Sequence, residues 1–176
     1  MTKTPKKKKS AKKKTVVRKS YVPGDFELRV GRSKTGLGLF AESEIPKNAC
    51  IIEYKGPIVP KEKEDSINSL YLFEVNARKT IDGSPRWNTA RYINHSCRPN
   101  CEPNIHKGRV FIHARRRIKP GEELNYDYGK NYFNEYLKGI CACPKCQPDK
   151  TAKKTVARKM AAQKTSKAKK SNRKAA

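Results

Sequence analysis

At 176 residues, with 42 Lys or Arg against 16 Asp or Glu and a formal charge of +26, the chain is long enough for one packed domain with basic attachments but too short for two full domains. No apolar run approaches the ~18–20 residues of a membrane span. Met1 to Ser20 lacks the apolar segment of a secretory signal, so a soluble, intracellular protein is expected.

Residues 1–20 carry ten Lys or Arg and no acid. Such a stretch has too little apolar surface and too much self-repulsion to offset the entropy of ordering, and a disordered tail is expected. A second disordered tail is expected at 148–176, with eleven Lys or Arg and Asp149 as its sole acid. Tails of this kind attract nucleic acid by counterion release, without base preference. In a eukaryotic cell, Lys6 to Lys9 with Lys12 to Lys14 would suit a nuclear import receptor.

Between 21 and 147, short apolar runs separated by Gly, Pro and Asn predict a mainly β fold of small twisted sheets with few short helices. The predicted strands are Glu27–Val30, Gly38–Ala41, Cys50–Tyr54, Tyr71–Val75, Arg109–Ala114 and Leu124–Tyr126. Pro46-Lys47-Asn48 predicts a turn, and Lys119-Pro120-Gly121-Glu122 has Pro and Gly where a type II turn needs them. One helix is predicted at Tyr132–Lys138, with Tyr132, Tyr136 and Phe133, Leu137 paired at i, i+4.

Four islands carry the candidate chemistry. Gly36-Leu37-Gly38 permits a sharp turn or a close backbone approach to a ligand, and taken alone it reads as an ordinary turn. Glu53-Tyr54-Lys55-Gly56 taken alone reads as a strand end with a half-buried tyrosine. Arg91 to Cys101 is too polar for a core strand. Its His95, Cys97 and Cys101 suggest a metal, while its Asn and Ser side chains suggest a loop knitted by its own hydrogen bonds. Glu122 to Gly129 puts Tyr126 and Tyr128 on one face of a strand, as a pocket wall or a structural pair.

Together and in this order, the islands resemble the SET domain of protein-lysine methyltransferases, over Leu28 to Cys146. The segments that carry the resemblance are Asn94-His95-Ser96-Cys97-Arg98-Pro99-Asn100 and Glu123-Leu124-Asn125-Tyr126-Asp127-Tyr128. It implies a catalytic domain at 21–130 with a knot-like C-terminal threading of those two segments, and a post-SET-like cysteine-rich segment at 131–147. It implies S-adenosylmethionine (AdoMet) as methyl donor, held by Gly36, Leu37, Gly38, Tyr71, Arg91, Asn94 and His95. Tyr128 would be the catalytic tyrosine, Tyr54 would line the lysine channel, and Tyr126 would restrict room for added methyl groups, favouring monomethylation.

The resemblance also implies structural Zn²⁺ on Cys97, Cys141, Cys143 and Cys146. Cys101 is the substitute ligand, because two residues separate Cys143 from Cys146 where the family commonly has four; Cys50 is expected in the core. Only fourteen residues separate Gly56 from Tyr71, leaving little room for a substrate-selecting insert. The expected substrate is a lysine on a histone, histone-like or other basic nucleic-acid-associated protein, at the nucleus or chromosome if the protein is eukaryotic or acts on a host, and otherwise at the nucleoid or in the cytoplasm. The alternatives are a ribosomal or translation protein as substrate, a catalytically silent chromatin-binding role, and self-methylation at Lys159.

Overall fold

A computed structural model of the chain describes residues 19–67 and 69–147. The tail residues 1–18 and 148–176, including Lys159, lie outside the described residues. Within the described part, ten strands form four small sheets. β1 (Leu28–Ser33) and β2 (Gly36–Ala41) make a hairpin; β3 (Cys50–Tyr54), β9 (Arg109–Ala114) and β8 (Cys101–His106) form an antiparallel sheet with β9 central. β4 (Ile58–Pro60), β6 (Lys79–Asp82) and β5 (Leu72–Asn76) form a third with β6 central. The fourth is a parallel pair, β7 (Asn94–His95) with β10 (Asn125–Tyr126).

β9 organises the core because Val110 to Ala114 are all buried, as a strand covered on both faces requires. Leu39, Ile45, Ile93, Ile112, Ile118 and Leu124 are fully buried and join the hairpin, the central sheet and the loops into one cluster. Both predicted turns form. Glu122 N–H donates to the Lys119 carbonyl (3.1 Å) with Gly121 at φ +83°, and Ala49 N–H donates to the Pro46 carbonyl (3.2 Å) with Asn48 at φ +68°. An Ile45–Ile118 bridge ties the two turn segments together.

β3 and β9 match their predicted limits, whereas β4, β6 and β8 were not predicted. β8 contains Pro103, which a sheet edge tolerates because no neighbour needs its missing N–H, and it pairs with β9 in unbroken register from Cys101–Ala114 to His106–Arg109. The predicted strand at Leu124–Tyr126 shortens to Asn125–Tyr126. The predicted helix starts two residues early, as α1 (Lys130–Tyr132) after Gly129 at φ +90°, and continues as a π-helical turn, Phe133–Leu137. Its i, i+4 face still forms in part, with the Tyr132 and Tyr136 rings 4.8 Å apart. No helix among the described residues is long and apolar enough to cross a membrane.

Gly56 is packed so closely that an added Cβ would lie 1.9 Å from the Asp82 carbonyl oxygen. Backbone cannot yield as a side-chain tip can, so Gly56→Ala should destabilise the fold by about 1–3 kcal/mol. A urea-unfolding midpoint equal to that of the unaltered protein would show that β6 shifts freely.

Candidate active site

The parallel pairing of Asn94 with Asn125 and His95 with Tyr126 joins segments thirty-one residues apart in sequence. Ser96 N–H extends it by donating to the Tyr126 carbonyl (3.0 Å). Asn100 and Asn125 lock it reciprocally, each side-chain oxygen accepting the other's backbone N–H (3.1 and 2.9 Å), while Asn100 Nδ2 donates to the Glu123 carbonyl (2.9 Å). Within the segment, Arg98 N–H donates to Ser96 Oγ (3.1 Å), but Asn100 bonds across to Glu123 and Asn125, so the self-knitted reading holds only in part. Asn94 and His95 instead face a cavity of about 760 Å³.

One end of that cavity is polar. Asn94 Nδ2 donates to the Leu37 carbonyl (3.0 Å) and to Glu123 Oε1 (2.7 Å), fixing β2 to the paired segments. Gly38 makes this possible, since a Cβ there would stand 2.5 Å from the Glu123 carboxylate. Gly36, at φ +116°, opens β2 directly after the Lys34-Thr35 turn of the hairpin, with open space beside it. The Arg91 guanidinium lies 4.1 Å from the Tyr71 ring centre in the cavity wall, and its Nε is buried without a hydrogen-bond partner.

The other end is aromatic. Tyr54, Tyr126 and Tyr128 line it, with the Tyr126 and Tyr128 rings 4.8 Å apart and Phe73 between Tyr54 and Tyr126 (5.5 and 6.4 Å). Tyr54 donates its hydroxyl to the Tyr71 carbonyl and Tyr128 donates its own to the Ile93 carbonyl, both at 2.8 Å. Burial, the largest influence, pushes all three phenols above their ordinary range, and neighbouring tyrosines add to it; Arg91 opposes it at Tyr54. They are neutral at physiological pH, with two of the three protons committed to backbone carbonyls.

Beyond the tyrosines, the Sγ atoms of Cys97, Cys141, Cys143 and Cys146 lie within 4.8 Å of one another, and Cys97 and Cys146 are 3.6 Å apart. Four thiolates around one divalent metal at ~2.3 Å would be spaced by roughly 3.8 Å, so the cluster fits a closed tetrahedral site. Cys101 is fully buried in the core, outside the cluster, and the substitute ligand is not used. Cys50 is likewise buried. His95 is not among the four either. Its Nδ1 accepts the Tyr128 backbone N–H (3.2 Å), which leaves Nε2 to donate toward Cys97 Sγ (3.3 Å). Burial lowers the imidazole pKa, against a smaller opposing pull from Asp127, which suits this neutral tautomer.

The structure thus brings Leu37, Tyr54, Tyr71, Arg91, Asn94, His95, Tyr126, Tyr128, Cys141 and Cys143 to one cavity wall. Gly36 and Gly38 lie behind Leu37 in β2, and Cys97 and Cys146 complete the cluster at the rim. Three contributors went unpredicted. Glu123 anchors Asn94, Tyr132 packs edge-on against Tyr128 (5.2 Å), and Gly83 meets Tyr54 so closely that a Cβ there would lie 2.0 Å from the phenol oxygen. Glu123 could have been found from its place beside Leu124 in the quoted motif; nothing local marks Gly83.

The family described as SET domain matches residues 36–129, more than half of the chain, and the chain belongs to that family. It is 38% identical over 133 residues to the histone-lysine N-methyltransferase trr of Drosophila melanogaster, covering 67% of this chain and 6% of that one. It is 37% identical over 135 residues to the H3 lysine-4 specific histone-lysine N-methyltransferase of Schizosaccharomyces pombe, covering 69% and 15%. The chain therefore spans less than a sixth of the length of these curated relatives. Among solved structures it resembles KRYPTONITE in complex with mCHH DNA, H3(1-15) peptide and SAH, with a TM-score of 0.52 and 34% identity over 60% of this chain and 24% of that one.

The raised phenol pKa values carry a stability consequence. An acid whose folded pKa exceeds its unfolded value contributes nothing unfavourable below the unfolded pKa and costs stability as pH climbs above it, here from about pH 10 upward. Unfolding free energy should therefore fall between about pH 9.5 and 11, and Tyr126→Phe should flatten that fall by up to about one proton. Equal slopes for the two proteins in denaturant titrations would mean that the Tyr126 hydroxyl ionises freely in the fold.

Proposed function

We propose that this chain is a protein-lysine methyltransferase that uses AdoMet to methylate a lysine on a histone or other basic, nucleic-acid-associated protein, adding mainly one methyl group. The observation that carries the reading is the convergence of Tyr54, Tyr126 and Tyr128 on the cavity that Asn94 and His95 line. Its volume lies within the range of about 300–1,000 Å³ common for small-molecule sites. The SET-family relatives named histone-lysine N-methyltransferases and the H3 peptide and SAH held by KRYPTONITE support the same donor and substrate class. Such a substrate places the protein at chromatin, and in the nucleus of a eukaryotic cell.

Bound AdoMet would supply a methyl group on a positively charged sulfur, open to direct displacement by an amine. The polar end suits its nucleoside and amino-acid parts: the Leu37 backbone and Asn94 side-chain oxygen offer polar contacts, His95 lines the wall, and the buried Arg91 Nε offers an unsatisfied N–H for a carboxylate or hydroxyl. Tyr71 adds an aromatic face, already stacked by Arg91. At the aromatic end, the rings admit a lysine stem, while burial beside the donor's positive sulfur would disfavour a charged head, so the amine gives its proton to water before it reacts.

Tyr128 acts by position and by dipole. Its hydroxyl proton is held by Ile93, so the oxygen can accept polarised C–H groups while the phenol stays neutral and abstracts no proton. Tyr54, fixed by the Tyr71 carbonyl and crowded by Gly83, offers a second such oxygen to the incoming amine. Tyr126 adds a third hydroxyl that occupies volume a methylated amine would need. Zinc on the four cysteines would perform no chemistry; it would hold the 141–143 wall of the cavity against His95.

The zinc-loaded 176-residue chain, incubated with isotopically labelled AdoMet and reconstituted nucleosomes, should label a histone lysine, mainly as monomethyl-lysine by mass spectrometry. Tyr128→Phe should lower kcat by roughly 100-fold or more while AdoMet affinity changes little. Tyr126→Phe should raise the di- and trimethyl share. Cys146→Ser should lose most of the bound zinc, read by elemental analysis. Abundant trimethyl product from the unaltered protein would refute the role of Tyr126, and absence of any labelled lysine on nucleosomes would refute the substrate class.

A further inference from the structure

One end of the β3-β9-β8 sheet collects exposed cations from three chain segments. Arg115 N–H donates to the Asn100 carbonyl (2.8 Å), Asn48 N–H donates to the Ala114 carbonyl (2.8 Å), and Ile45 bridges Ile118. These links set Lys47, Arg98, Arg115, Arg116, Arg117 and Lys119 around a single edge, all exposed. Glu102, Glu122 and Glu44 interleave with them, pairing with Arg115, Arg116 and Arg117 respectively, while Lys47, Arg98 and Lys119 have no ion-pair partner among the described residues. Between 21 and 147 the chain has twenty-one Lys or Arg against fifteen Asp or Glu, an excess of six, and this edge carries half of that excess.

The basic leader arrives at the same place. Lys19 Nζ pairs with Glu102, the carboxylate that Arg115 also approaches, and Tyr21 stacks on His106 (4.0 Å, 9°) at the far end of β8. Residues 1–18, which precede Lys19 in sequence, hold nine further Lys or Arg. None of the residues 44–48, 98–100 and 114–119 is aromatic, so the surface offers unpaired bases no ring to stack on, which favours a duplex over a single strand.

We propose that this edge of the folded domain is a phosphate-binding surface for duplex DNA, continuous with the basic segment that leads into Lys19. The choice of DNA over duplex RNA rests on the histone-type substrate proposed above. Arg98 follows the cluster ligand Cys97 by one position, so DNA held at this edge lies next to the cysteine cluster that borders the cavity. The surface adds orientation, because its cations stand on turns pinned to the sheet by backbone hydrogen bonds and so keep a fixed spacing against the duplex.

The test is fluorescence anisotropy of a labelled duplex DNA with the 176-residue chain, titrated between about 50 and 200 mM salt. The triple variant Lys47→Ala, Arg98→Ala, Lys119→Ala should bind several-fold more weakly, and its plot of log affinity against log salt should be shallower by roughly 2–3 units. A control triple, Arg32→Ala, Arg78→Ala, Arg86→Ala, removes the same charge elsewhere and should keep the original slope. Equal slopes for the two triples overturn the proposal and leave the tails as the sole DNA contacts. Tighter binding of a duplex RNA of the same sequence overturns the commitment to DNA. Methylation of a free histone peptide, run in parallel, should be the same for all three proteins; if none of them methylates it, the enzymatic reading fails while the anisotropy result stands on its own.

Discussion

The site depends on a sheet of four residues. Two residues per strand is too short a ladder to persist by itself, and the Asn94-His95 and Asn125-Tyr126 pair is held by what surrounds it. Asn100 and Asn125 exchange side-chain acceptors for backbone donors, Glu123 takes the Asn94 amide, and His95 takes the Tyr128 N–H. These are partly buried polar groups, for which losing one partner costs about 1–3 kcal/mol. The same bonds that close the crossing also aim Asn94 at β2 and Tyr128 at Ile93, so no separate device is needed to bring the polar and aromatic ends of the cavity together.

His95 links that crossing to the cysteine cluster. Its two ring nitrogens have different duties, Nδ1 receiving the Tyr128 backbone and Nε2 facing the Cys97 sulfur, and its ring also meets Phe133 at 5.5 Å. A neutral imidazole is the only state that serves both, which is why its burial matters. A metal on Cys97 would deprotonate the thiol and strengthen the Nε2–H contact, stiffening the backbone from which the Tyr128 side chain springs. Metal and tyrosine are then coupled through one ring, with no metal chemistry required.

Legibility followed burial pattern. β3 and β9 were readable to the residue because Cys50-Ile-Ile-Glu-Tyr54 and Val110-Phe-Ile are dense in β-branched and aromatic residues on a strand that the fold covers. β8 was not, since Pro103 and Asn104 depress strand propensity and only the register offered by β9 makes the segment extended. The π-helical turn escaped for a related reason: Lys138 N–H reaches the Phe133 carbonyl (2.8 Å), a five-residue step that no sequence period announces. Among site residues, Tyr54, Tyr71, Arg91, Asn94, His95, Tyr126 and Tyr128 were named from motifs, and they line one cavity. Gly83 did not show itself, because its importance exists only once Tyr54 arrives from a strand twenty-nine residues away.

The short spacing between Cys143 and Cys146 has a physical resolution in the backbone. Cys146 N–H and Gln147 N–H both donate to the Cys143 carbonyl (3.0 and 2.9 Å), closing a single tight turn that carries both sulfurs to the side where Cys97 and Cys141 stand. Burial disfavours a charged Cys143, yet backbone hydrogen bonds within the cluster outweigh it and bring that thiol down to about 6, while burial and the neighbouring thiols push Cys97 up to about 12. One ready thiolate beside reluctant ones is the arrangement a divalent cation completes, because each further deprotonation is opposed by the last until positive charge arrives. Two intervening residues thus still bring both sulfurs into a cluster that could hold a metal, beside the wall that Cys141, Ala142 and Cys143 give to the cavity.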